Sequence, residues 1–126
     1  DAFVADFIGG ANLVPCTVLH VEDGRARVEL GGIELTVPRG GNVGDRAALV
    51  VRPNAVRLAA SPVPGQSIAA TVTKAVYLGS HWEYTLKTAV GELFVTQPVE
   101  NRHAAGTTIH VVLSPDRLTL VSAAEA

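Results

Sequence analysis

The chain has 126 residues, 48% of them apolar, a net charge of −2 and one cysteine, Cys16. That length suits one domain that buries roughly two-thirds of its unfolded surface, so neither a metal nor a disulfide is needed to hold it together. The scattered charges exclude a phosphate-neutralising groove for nucleic acid or an anionic membrane surface, and no apolar run approaches the ~20 residues that cross a bilayer.

The first ten residues place Phe3, Val4, Phe7 and Ile8 on one helical stripe and end on Gly9-Gly10, a favoured helix stop. This pattern predicts the end of a helix over 1–10 that begins upstream. With no methionine anywhere in the sequence, it also predicts the C-terminal part of a longer polypeptide, its own domain running over 11–126.

From there the signal is β. Ala26, Val28 and Leu30 alternate with Arg25, Arg27 and Glu29, and Gly31-Gly32 turns the chain into Ile33, Leu35 and Val37. Asp23-Gly24 is a second hairpin signal, so 16–38 reads as a three-stranded meander. A loop follows over 38–42. The run Ala47-Ala48-Leu49-Val50-Val51 predicts a strand buried on both faces, ended by Pro53-Asn54; a short strand over 56–59 follows. The breaker cluster Ser61-Pro62-Val63-Pro64-Gly65 divides the domain into two portions.

The second portion repeats the theme. A Val- and Thr-rich strand runs over 68–77, Leu78-Gly79-Ser80 turns, and Trp82, Tyr84 and Leu86 alternate with polar residues. Val90-Gly91 leads into a strand over 92–97, a polar loop over 98–106 and a strand over 109–113. Ser114-Pro115-Asp116 makes a turn before a last strand over 118–121 and a frayed tail over 122–126. Short strands at this spacing predict an all-β fold, an OB-like small β barrel with a short N-terminal helix remnant. No longer repeat is evident beyond the two-part division.

Chemistry is sparse. The sequence has no Gly-rich phosphate loop, CxxC, HExxH or GxSxG elbow. His20, His81, His103 and His110 lack ligand-like spacing, and Cys16 reads as a small buried hydrophobe in a chain suited to a reducing compartment. Glu29 and Glu34 read as outward positions beside Arg25 and Arg27. No metal site and no catalytic group is assigned.

Two segments stand out. Arg52-Pro53-Asn54 makes a rigid corner between arginines, which reads equally as a plain strand terminator. In the second, Tyr77, Gly79, His81, Trp82 and Tyr84 crowd a glycine turn. Such a group locks a hairpin or anchors a partner.

Taken together, "FVADFIGGANLV", "VRPNAVRL", "VYLGSHWEYTL…GELFV" and "VVLSPDRLTLV" resemble the C-terminal TOBE (transport-associated OB) domain of ABC-importer ATP-binding subunits, of the spermidine/putrescine, ferric iron or maltose type. The resemblance implies a non-catalytic regulatory and dimerisation domain. Its partners would be its own ATPase domain, a second copy of the subunit and the permease subunits, with no nucleic acid. It implies no cofactor in this chain, ATP and Mg belonging to an ATPase domain upstream, and a place in the cytoplasm, peripheral on the inner face of the bacterial plasma membrane. Interface or regulatory candidates are then Arg52, Pro53, Asn54, Tyr77, Gly79, His81, Trp82 and Tyr84. The family pattern has Arg-Pro-Glu at the first of these, so Asn54 keeps a hydrogen-bonding group and loses the charge. The resemblance also admits an alternative, a Mop-like oxyanion module, for which Asn12, Thr73, Lys74 and Ser80 are the candidate donors. The Ser-x-Arg-Asn segment of those modules is replaced here by Gly9-Gly10-Ala11-Asn12.

Overall fold

The computed structural model describes residues 4–39 and 46–122, which form eleven strands and one 3₁₀ turn. The strands are β1 (Asp6–Ile8), β2 (Ala11–Glu22), β3 (Arg25–Leu30), β4 (Ile33–Pro38), β5 (Arg46–Val51), β6 (Val56–Ala59), β7 (Ser67–Tyr77), β8 (His81–Thr88), β9 (Gly91–Pro98), β10 (Thr108–Leu113) and β11 (Thr119–Ser122). They build two antiparallel sheets in the orders β11-β5-β2-β3-β4, with β1 on β2, and β6-β10-β7-β8-β9. The fold is all-β and OB-like, as the alternation predicts.

The N-terminal reading needs correction. Asp6–Ile8 is a strand, pairing Asp6 with Leu13 and Ile8 with Ala11, and no helix occurs within 4–10. Gly9 and Gly10 have φ of 63° and 78°, so the pair makes a two-residue hairpin turn instead of a helix stop. The extended residues before the glycines pair their backbone groups with β2, which offers a ready edge across the two-residue turn. Residues 1–3, where the expected stripe begins, lie outside the described residues, as do most of the 38–42 loop and the end of the tail.

The meander, the doubly buried β5 and the aromatic hairpin all form as expected. The two-part division does not separate the sheets. β6 precedes the Ser61-Pro62-Val63-Pro64-Gly65 breaker yet joins the second sheet. β11, from the second portion, joins the first. The two sheet orders are therefore the same pattern twice: β2 to β6 and β7 to β11 are equivalent units that exchange their last strands. Both long strands, β2 and β7, carry a bulge, between Val18 and His20 and between Val72 and Lys74. Val51-Arg52-Pro53-Asn54 and Leu113-Ser114-Pro115-Asp116 are equivalent corners, each closed by a 2.9 Å bond: Ala55 N–H to Arg52 C=O, and Arg117 N–H to Ser114 C=O.

One apolar core joins both sheets, with Val14, Leu49 and Leu120 from the first beside Val72, Leu86 and Val111 from the second. Two buried amides tie it together. Asn12, 1% exposed, donates from Nδ2 to Val51 C=O (3.0 Å) and Phe94 C=O (2.9 Å) and accepts from Phe94 N–H (2.9 Å). It thereby pins β2 and β5 to β9 of the other sheet. Gln97 Nε2 donates to Val56 C=O at 2.9 Å, and Thr96 N–H donates to Pro53 C=O at 2.9 Å. These bonds link β9 to the β5–β6 corner and β6, drawing together the two outer strands of the second sheet.

Candidate functional site

The aromatic hairpin is a clamp with an exposed tip. Tyr77 opposes Trp82 across the β7–β8 pair, ring centroids 5.1 Å apart, and Trp82 stacks on Tyr84 at 5.9 Å. The inner rings are occupied by the chain itself. Trp82 Nε1–H donates to Val99 C=O (3.1 Å), Tyr84 O–H to Asn101 C=O (2.8 Å), and His103 N–H to the Tyr84 hydroxyl (2.9 Å). Tyr84 is buried and edge-on to His103 at 5.7 Å. The 98–106 loop is thus fastened to the hairpin.

The remaining hairpin candidates shape the tip. Gly79 has a φ of 88° and accepts from the Tyr77 hydroxyl at 3.0 Å; Ser80 Oγ lies 2.8 Å from His81 Nδ1. Beside them the tip exposes apolar side chains: Tyr77 is 56% exposed, Leu78 48% and Val99 43%.

The corner behaves as the terminator reading has it. Arg52 and Asn54 are exposed, and the backbone of Arg52 and Pro53 makes the structural bonds. Pro53 also borders a cleft of about 340 Å³ on the outer face of the second sheet, floored by Phe7, Val76 and Phe94 and flanked by Lys74 and Glu83. Phe7 and Phe94 meet edge-on at 5.1 Å. Sequence reasoning did not assemble this cleft, because β1 brings Phe7 to it from far along the chain.

The four oxyanion donors do not gather. Asn12 is buried between the sheets with both amide hydrogens used, and the Thr73 hydroxyl donates to Thr85 C=O at 3.0 Å. Ser80 is at the hairpin tip and Lys74 at the cleft.

Arg27 and Glu34 pair at 3.3 Å on an exposed face, as the alternation anticipates for one of the two arginines. Burial, reinforced by the charge of Glu29, pushes the Cys16 thiol from 9.0 up to about 12. Among the described residues no group of three or more His, Cys, Asp or Glu side chains could hold a metal ion, and no helix is long and apolar enough to cross a membrane.

Known proteins share this architecture and sequence. The molybdate-binding protein ModG superposes with a TM-score of 0.71 over 91% of this chain and 98% of its own, at 18% identity, which is a likeness of fold. The Fe(3+) ions import ATP-binding protein FbpC of Brucella abortus (strain 2308) is 42% identical over 98 residues, covering 78% of this chain and 27% of that protein. FbpC 1 of Rhizobium meliloti (strain 1021) is 37% identical over 123 residues, 97% of this chain and 34% of the relative. The spermidine/putrescine import ATP-binding protein PotA of Rubrobacter xylanophilus is 36% identical over 110 residues, covering 83% and 29%. The chain therefore spans about a third of the length of these relatives. The sequence pattern of the TOBE domain matches residues 49–121. With most of the matched stretch forming the second sheet and its exchanged strands, the chain belongs to the TOBE domain family.

Proposed function

We propose that the chain is the non-catalytic regulatory and dimerisation module of an ABC-importer ATP-binding subunit, working in transmembrane solute uptake. Similarity to FbpC and PotA supports the transport context. In that setting ATP and Mg²⁺ belong to a separate ATPase domain. The module meets that domain, a second copy of the subunit and the permease at the cytoplasmic face of the membrane.

One observation carries the interface reading. Tyr77 and Leu78 of the hairpin, with Val99 of the loop that Trp82 and Tyr84 fasten to it, project apolar surface. A rigid aromatic tip loses little entropy on docking, which is what an interface anchor requires. Tyr77 and Leu78 are the residues to alter, since changing Trp82 also releases the loop.

The test uses the full ATP-binding subunit carrying Tyr77→Ala with Leu78→Asp. We expect sedimentation equilibrium to show at least about tenfold weaker self-association, as for loss of an interface anchor worth ~1.4 kcal/mol or more, together with an altered ATPase rate. Unchanged association and rate, with an unchanged melting temperature, would overturn the reading.

A further inference from the structure

The cleft beside Pro53 has a built-in comparison within the same chain. In each repeated unit a bulge in the long strand re-aims the residues that follow it. In β7, Ile68, Ala70 and Val72 point into the core, and an unbroken alternation would send Lys74 and Val76 inward as well. The bulge at Thr73 shifts the register, so that Ala75 packs against the core while Lys74 pairs with Thr85 and Val76 with Glu83 on the outer face. In β2 the equivalent bulge turns out His20 and Glu22, and the hollow beside them, lined by charged and polar groups, is of about 280 Å³. There His20 Nε2 and Glu22 Oε1 satisfy each other at 2.9 Å.

The second cleft differs in two respects. Its floor is apolar, from Phe7, Val76 and Phe94, and its charges are opposite but not joined: neither Lys74 nor Glu83 forms an ion pair among the described residues. Lys74 and Glu83 are diagonal neighbours on one sheet face, a separation that a small molecule can bridge. The volume falls within the range of small-ligand sites, and an apolar floor with a few polar groups is the usual make-up of such sites.

We propose that this cleft binds a small zwitterion with an apolar body, of the amino-acid class. The ligand carboxylate meets the Lys74 ammonium, its ammonium group meets the Glu83 carboxylate, and its side chain lies on Phe7 and Phe94. The inference goes beyond the regulatory reading and does not depend on it, because binding is read on this chain with no ATPase present.

The experiment titrates the 126-residue chain with L-phenylalanine, with phenylpropionate, which lacks the amine, and with phenethylamine, which lacks the carboxylate. Amide shifts of Thr85 and Phe94 are followed by NMR. A ligand of about a dozen heavy atoms at modest efficiency gives a dissociation constant near ~1 mM for phenylalanine. Each half-charged analogue should bind about five- to tenfold more weakly, as should phenylalanine to Lys74→Met and to Glu83→Gln. Both positions are exposed, so the variants should keep the wild-type melting temperature. No shift at about ten times that concentration overturns the proposal. So does equal binding of all three compounds, or binding that ignores both substitutions.

Discussion

Asn12 does more for this fold than its size suggests. Its amide spends both donors and its acceptor on backbone groups of β5 and β9, so a short polar side chain acts as a cross-sheet pin. Replacing it leaves the buried Val51 C=O and the half-buried Phe94 N–H and C=O without those partners. Asn12→Ala should therefore lower the unfolding free energy by about 2–4 kcal/mol, read from urea melts. A loss below about 0.5 kcal/mol would show that water or a shifted backbone replaces the bonds. Cys16 illustrates the opposite case, a reactive group kept idle. Its raised pKa leaves even less of the reactive thiolate at pH 8 than an exposed cysteine has, and folded protein should react with a thiol reagent at that pH far more slowly than protein in urea. The sign of the linked stability effect follows. Above the unfolded value of 9.0 the unfolded chain sheds this proton first, so the contribution is intact below pH 9 and is lost as pH rises towards about 12. Equal labelling rates in the two states would contradict the burial.

At the level of elements, the decisive fact is the exchange of β6 and β11. β6 hydrogen-bonds to β10, with Val56 opposite Leu113, and β11 to β5, with Leu120 opposite Leu49. Each half therefore holds an edge strand of the other, and the exposed breaker segment between β6 and β7 carries little of the joining. A protease site placed within that segment should give two pieces that co-elute in native buffer and part only in denaturant. Pieces that separate in buffer would mean that the exchanged strands do not hold the halves together. Gly91 shows how closely the elements approach. A Cβ there would lie 2.8 Å from Ala5 N, and Ala5 N–H donates to Val90 C=O at 2.7 Å, so the residue leading into β1 sits directly on the β8–β9 turn.

Across the whole molecule, the same unit occurs twice with different outer surfaces. The core positions correspond, Ala47, Leu49 and Val51 with Ile109, Val111 and Leu113, because both units must bury the same side of the same strand. The outer faces are not bound by that requirement, and they differ. One ends in a self-satisfied His20–Glu22 pair; the other carries the aromatic tip and the cleft. Function on a shared scaffold resides in such differences. The aromatic tip and the cleft both lie on the second sheet, whose strands fall within the stretch that matches the TOBE pattern, with Phe7 reaching the cleft from β1.

Alternation, paired turn glycines and proline corners determined the strands, the meander and the all-β class from the sequence alone, since these depend on neighbours a few positions apart. The short motifs likewise carried the family. Tertiary structure alone decided that β6 and β11 change sheets and that Asp6–Ile8 is a strand. It also decided that Asn12 is a pin between sheets and that Phe7 and Lys74 share a cleft. Apart from that strand, which pairs with β2 across the Gly9-Gly10 turn, each of these depends on partners tens of residues away, and a residue's own side chain carries no record of which distant edge will be left open to it.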